Sequence, residues 1–352
     1  MKNDELRQWY QRFGPMGPDA PEPVIAERGE GAWIVDDSGK KLLDFSSGGS
    51  SPLGRNHSDI PRVLKQVGHA PAIDGVVAHD EVALMHKMAE LVPGGMNRRV
   101  LVCESGREAL ARAIELARNE TGRQSVVYLS EIAEGLGTRS DSSTESVMTR
   151  AAAVVAHPLD GRIKHARQAC DAAGALLIDD EAGIGPGATG RMLAIELSDV
   201  RPDIHVLGRG WAAGLMFGAC VTGNSNLRWK NSTAGNPIGG AVALEVIRLL
   251  EVGLLEQGRK LAAYLEKRFG VLSSPKLEPE LWGVGLVRTI VLRKGKDVAV
   301  GLVQKCRELG LLLHALSADK VAVRPPLVAT EKDVDFAAEV IGKVLAGFDK
   351  KA

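Results

Sequence analysis

The sequence predicts an α/β protein: a large domain with a mostly parallel sheet flanked by helices, plus a smaller α+β domain. Two observations lead there. Through the middle of the chain, short apolar runs of strand length alternate with amphipathic stretches of helical period. After NSTAGNP the pattern changes to one long helical stretch, GGAVALEVIRLLEVGLLEQGRKLAAYLEKRF, then short strands and two more helices. In a parallel sheet of this kind, ligands gather at the carboxyl ends of the strands.

The chain has 352 residues, 45% hydrophobic and 25% charged, enough for one large or two medium domains with a sizeable core. Lys plus Arg and Asp plus Glu number 44 each, so no global field draws the chain to nucleic acid or to an anionic membrane. The N-terminus MKNDELRQWY has no apolar h-region, and no apolar run is long enough to span a bilayer. The expectation is therefore a cytoplasmic protein with no nucleic-acid or membrane partner. The four cysteines, Cys103, Cys170, Cys220 and Cys306, are far apart and read as reduced, mostly buried thiols. His79 and His86 share a possible helix face but have no local third ligand, so no metal site is expected.

In chain order, residues 1–23 are polar and rich in Gly and Pro and read as an arm or linker. GAWIVDDSGKKLLDF reads as a hairpin around Asp37-Ser38-Gly39, and DIPRVLKQV and DEVALMHKMAELV as helices. A strand over Val100 to Cys103 runs through Ser105-Gly106 into an amphipathic helix reaching about Ala117 and closed by Gly122. SVVYLS and AAAVVAHP are strands, RIKHARQACDAAG a helix, and ALLIDDEAG, DIHVLGRG and FGACVTG further strands. The Ser-rich stretch at 140–146 reads as a surface loop. The long helical pattern that follows breaks near Gly253. GLVRTIVLR, VAVGLVQKCRELG and KDVDFAAEVIGKVLAGF complete the chain. The division expected is 1–48 (arm and hairpin, part of the small domain), 49–245 (large α/β domain) and 246–352 (linking helix and C-terminal small domain).

One residue stands out. A basic side chain at the end of a buried strand is a usual place for a catalytic amine, yet IHVLGRG presents Arg209 there. Guanidinium stays protonated and offers no lone pair for attack on a carbonyl.

The order of these segments resembles the class III aminotransferases of the ornithine, acetylornithine and 4-aminobutyrate type. RGEGAWIVDDSGKKLLDFSSG, LGRNH, LVPGGMNRRVLVCESGREALARAIELAR, GALLIDDEAGIGPGATG, STAGNPIGGAVALEVI and VRPPLVATEKDVD each match a family segment in the right order, over nearly the whole chain. The resemblance implies the pyridoxal phosphate (PLP)-dependent transferase fold type I. It also implies Asp180 as the partner of the cofactor's pyridinium nitrogen. In the family a lysine 29 residues later holds the cofactor covalently, and that position here is Arg209.

Other positions carried over from the family are altered. Ser105, Gly106 and Arg107 stand where the phosphate is held, with Arg107 replacing a second hydroxyl. Ala133 stands for the ring-stacking aromatic and Glu134 for its histidine neighbour. His157 takes the place of a glutamate. Ala182 and Gly183 replace a valine and a glutamine under the ring. Thr233 matches the threonine lent to a neighbouring subunit's phosphate. On the residues alone, Ser105 also reads as an N-cap and Asp180 as a capping or ion-paired acid.

Three functions are weighed. The first is an aminotransferase-like protein that has lost transamination and serves as a non-catalytic partner, regulatory or ligand-binding subunit, in a homodimer or in a heterodimer with an active subunit. Arg209 would then reach Asp180 across the cofactor slot. The second is an enzyme or binder for a small anionic metabolite, with Arg107 and Arg209 as cations. The third is a weakly active amino-acid aminotransferase, with Lys230 the nearby amine. The cofactor expectation that follows from Arg209 is none, or PLP held only non-covalently.

Overall fold

The computed structural model describes residues 3–15, 23–67, 77–93, 97–129, 150–223, 226–227, 229, 235–295 and 297–350. The chain opens with helix α1 (Asn3–Phe13), in the segment read from sequence as an arm. Tertiary pairing accounts for the difference. The Arg7 guanidinium donates from Nε and Nη2 to the two Asp37 carboxylate oxygens at 2.8 and 2.7 Å, fastening α1 to the hairpin turn. The hairpin consists of β1 (Ala26–Glu30), β2 (Trp33–Asp36) and β3 (Lys41–Asp44). Helices α2 (Asp59–Val67) and α3 (His79–Leu91) follow.

The large domain then runs β4 (Val100–Cys103), α4 (Gly106–Thr121), β5 (Val126–Tyr128), β6 (Ala153–Ala156), α5 (Ile163–Ala173), β7 (Leu176–Glu181), β8 (Ile204–Leu207) and β9 (Gly218–Thr222). These strands form a six-stranded sheet in the order β4-β9-β8-β7-β6-β5. Strands β5 to β8 are mutually parallel, and β9 is antiparallel to both β8 and β4. Helix α4 extends one turn beyond the expected Ala117 and ends where Gly122 adopts the left-handed conformation. The central strands are buried on both faces, as a parallel sheet covered by helices requires, and β7 and β8 carry Asp179, Glu181 and His205 among their buried apolar residues.

Helix α6 (Pro237–Leu249) starts at Asn236, whose side chain accepts from Gly239 N–H at 3.0 Å. It is apolar nearly all round and packs against α2, α3 and the turn after β8. A wide helical turn (Leu250–Leu254) joins it to α7 (Leu255–Phe269), with Gly253 at φ 137°, a value that L side chains rarely adopt. This is the break expected at Gly253.

The C-terminal part comprises β10 (Pro279–Val284), β11 (Val287–Leu292), α8 (Ala299–Glu308), β12 (Leu311–Leu312), β13 (His314–Ser317), β14 (Lys320–Val323) and α9 (Glu331–Lys350). Strands β10, β11, β14 and β13 make an antiparallel sheet. Strand β12 pairs in parallel with β3, so the two chain ends share one sheet. Trp33 Nε1–H donates to Asp333 at 2.8 Å and ties the hairpin to the start of α9. No helix among the described residues is long and apolar enough to cross a membrane.

Candidate functional site

The site is built where β7 and β8 end side by side. Their register pairs Asp180 with Val206 and Glu181 with Leu207, so the chain that continues into Ala182-Gly183 lies beside Gly208-Arg209. The N-terminus of α4 closes on the same point. A Cβ at Gly106 would stand 2.7 Å from Ala182 Cβ, and one at Gly208 would collide with the Ala182 carbonyl. Glycine is required at both for the three backbones to meet. The 47–54 loop completes the rim, since a Cβ at Gly210 would lie 2.7 Å from the Gly49 carbonyl oxygen.

Asp180 is half-buried at this strand end and accepts the Ala182 N–H at 3.0 Å. Burial pushes its carboxyl above the usual range, and the Ala182 bond only partly offsets that. Nearby, the Tyr128 phenol is buried with its oxygen unpaired. Burial and the Asp180 charge raise its pKa, with Arg118 opposing. Ser105 caps α4: its hydroxyl accepts from Glu108 N–H at 3.2 Å, and the Glu108 side chain accepts from Glu104 N–H at 2.9 Å. That leaves the Gly106 and Arg107 N–H groups as the first-turn donors that helix geometry does not satisfy. The Arg107 side chain is exposed.

The expected reach of Arg209 to Asp180 is not what the fold provides. Arg209 opens a 3-10 turn (Arg209–Ala212), is exposed, and lines a cavity with the 47–64 segment. Among the described residues no ion pair joins it to Asp180. Nor are the two proposed cations brought together, because Arg107 does not line the Arg209 cavity. Ala133, Glu134, Lys230 and Thr233, like the 140–146 loop, lie outside the described residues.

His157 follows β6 and is half-buried. Its Nδ1 accepts from Leu159 N–H at 3.3 Å, which leaves the proton on Nε2. Burial and the nearby Arg324 guanidinium pull its pKa down to about 4, with Asp160 opposing.

Arg324 is a functional candidate that the sequence reading did not single out. Its N–H donates to Phe45 O at 2.6 Å and its carbonyl accepts from Gly48 N–H at 2.9 Å, so it is stitched to the site rim. Its side chain is half-buried, its Nε has no partner, and burial lowers its pKa. Among the described residues no carboxylate pairs with it. Tyr128 and the buried Asp179, Glu181 and His205 were also passed over. The available signals were an arginine closing the apolar run VAV before Pro-Pro, and ionisable residues inside strand-like runs. No group of three or more metal-ligating side chains occurs among the described residues.

This architecture defines the PLP-dependent transferase fold type I. Within it, the chain belongs to the class III aminotransferase family: the model for that family, described as aminotransferase class-III, matches residues 16–148 and 144–345. Acetylornithine aminotransferase of Archaeoglobus fulgidus is 28% identical over 370 residues, covering 91% of this chain and 95% of the relative. Ornithine aminotransferase of Brevibacillus brevis is 25% identical, covering 92% and 94%. Among solved structures, acetylornithine aminotransferase from Elizabethkingia anophelis aligns with a TM-score of 0.84 at 23% identity, covering 99% of this chain and all of that one.

Family membership corrects one expectation. Arg209 led to a chain with no cofactor, or with PLP held only non-covalently; the family is one of PLP-dependent enzymes, and the expectation of no cofactor falls. The physical reason is that Arg209 concerns one contact among several. The remaining groups fit the cofactor. Asp180 is an under-satisfied carboxylate suited to a protonated ring nitrogen, and the free first-turn N–H groups of α4 suit a phosphate.

Proposed function

We propose that this class III aminotransferase-family chain binds the cofactor between Asp180 and the N-terminus of α4 and a carboxylate ligand at Arg324. We further propose that it has lost transamination at its own site and acts as a ligand-binding or partner subunit. The carrying observation is the residue at the end of β8: Arg209 follows Gly208, in register with the strand that bears Asp180. When bound, the cofactor supplies an electron sink for the substrate's amine-bearing carbon.

This chain's own residues then have separate tasks. Asp180 holds a proton on the ring nitrogen by charge pairing, and α4 neutralises phosphate charge with backbone donors. Arg324, half-buried and without a carboxylate partner, orients an incoming carboxylate. Proton transfer at the substrate carbon needs a group that can lose its proton near neutral pH, and guanidinium cannot. Names among the relatives point to acetylornithine or ornithine as the ligands to try first.

The test is intact-mass measurement after incubation with PLP and borohydride reduction, beside an amino-donor assay. Arg209→Lys is expected to gain one covalently attached cofactor at position 209, and the native chain is expected to show no turnover. Turnover of acetylornithine or ornithine by the native chain would overturn the reading.

A further inference from the structure

Beside the cofactor slot lies a second cavity of about 470 Å3, between the 47–64 segment and the turn after β8. Three basic side chains line it, Arg55, His57 and Arg209, and no carboxylate does. Each is arranged differently. Arg55 donates from Nη2 to Asp44 Oδ2 at 2.9 Å, which fixes its orientation and leaves its other donors free. Burial pushes the Asp44 carboxyl up, but bonds from Ser47, Ser46 and Arg55 outweigh it and hold it ionised below the usual range. His57 Nδ1 accepts the Asp59 N–H at 3.4 Å and lies 3.8 Å from the Asp59 carboxylate, so Nε2 is its remaining donor. Arg209 has no ion pair among the described residues. Ile60 and Leu64 add apolar side chains to the lining.

The cavity is of a size that takes small metabolites. A basic cluster with no carboxylate in the lining and apolar side chains beside it is complementary to an oxyanion carried on a short aliphatic body. Asp180, Ser105, Gly106 and Ala182 do not line it, and it adjoins the cofactor slot at Gly208-Arg209, where the backbone packs on Ala182.

The geometry points to a second ligand site in this cavity, in which Arg209, with Arg55 and His57, binds the carboxylate or phosphate head of a small aliphatic anion. Arginine suits this where lysine does not, because its planar fork engages two oxygens at once. The inference rests on the proposed function only in taking Arg209 out of covalent chemistry.

Calorimetric titration of the full chain with cofactor present tests it, using butyrate, propyl phosphate and inorganic phosphate. In an Arg324→Met background, which removes the carboxylate site proposed above, butyrate or propyl phosphate is expected to bind at one site per chain, more tightly than inorganic phosphate. Arg209→Ala is expected to weaken that binding roughly tenfold or more, the loss of a bidentate charge-assisted contact. Lys164→Ala, which removes a surface cation outside the cavity, is expected to leave it unchanged. The tighter of the two aliphatic anions identifies the head group. Equal binding by the Arg324→Met background and a folded variant that also carries Arg209→Ala would overturn the inference, as would an equal loss from Lys164→Ala. Turnover by the native chain would sink the proposed function but not this site, since the titration reads Arg209 directly.

Discussion

His205 Nδ1 lies 3.0 Å from Asp179 Oδ2, and both side chains are fully buried on the paired strands β8 and β7, directly behind the candidate site. Burial drives both toward their neutral forms: the Asp179 carboxyl is raised, with Asp180 adding to the rise, and His205 falls to about 4. The second Asp179 oxygen has no partner. His205→Leu therefore strips a buried carboxyl of its histidine partner, leaving Glu181 as its side-chain neighbour, and is expected to cost about 1–3 kcal/mol in urea denaturation. Asp179→Val with His205→Leu removes both polar groups, and the double variant is expected to be less destabilised than the sum of the single ones. Additivity would show that the pair does not interact.

The neutral His157 makes stability fall in mild acid. Its folded pKa of about 4 lies below the unfolded value of 6.5, so the unfolded chain binds the proton more readily. The contribution is complete above pH 6.5 and is lost progressively as pH falls toward 4. The full difference is about 3 kcal/mol by linkage. His157→Gln, which keeps an acceptor for Leu159 N–H, is expected to flatten the melting temperature between pH 6.5 and 4. An unchanged slope would place the acid sensitivity elsewhere.

The helix cap at Ser105 predicts a stability change independent of any ligand. Because the hydroxyl accepts from Glu108 N–H, Ser105→Ala is expected to cost about 1 kcal/mol of stability in cofactor-free protein. No loss without cofactor would leave ligand contact as the hydroxyl's only role.

The alternation of strand and helix was legible because apolar period and glycine punctuation are local properties. The strand from Leu176 to Glu181, the α4 cap and the break at Gly253 all come from neighbours in sequence. Helix α1 was not legible, since its anchor is an ion pair between Arg7 and Asp37. The site divides the same way. Asp180 and Arg209 announce themselves by standing at the ends of apolar runs. Arg324 does not, because its role depends on a backbone link to Phe45 and Gly48 that joins the two ends of the chain. The direction of Arg209 was also hidden, because the 3-10 turn that carries it to a different cavity is set by packing against the 47–54 loop.

The meeting of β7, β8 and α4 depends on the absence of side chains at Gly106 and Gly208. A methyl at Gly208 would meet the Ala182 backbone carbonyl, which cannot rotate away as a flexible side chain would. Gly208→Ala is thus expected to destabilise by about 1–3 kcal/mol and to weaken PLP binding by displacing Ala182. Thermal melts with and without PLP check both effects. A variant as stable as the native chain would mean that the strand ends are looser than their close approach implies.

Arg324 sets stability against binding. A half-buried guanidinium with an unpaired Nε and no carboxylate partner among the described residues costs stability in the free protein. It also depresses the neighbouring His157. Arg324→Met keeps the aliphatic stem and removes the charge, and its backbone bonds to Phe45 and Gly48 do not involve the side chain. The variant is expected to gain about 1 kcal/mol, since an apolar replacement of a poorly paired buried charge is neutral to stabilising. Its His157 should titrate closer to 6.5, followed by the histidine ring resonances in NMR. A carboxylate ligand such as acetylornithine should raise its melting temperature less than it raises that of the native chain. A destabilised variant that responds to acetylornithine as strongly as the native chain would show that Arg324 is a packing residue and holds no carboxylate.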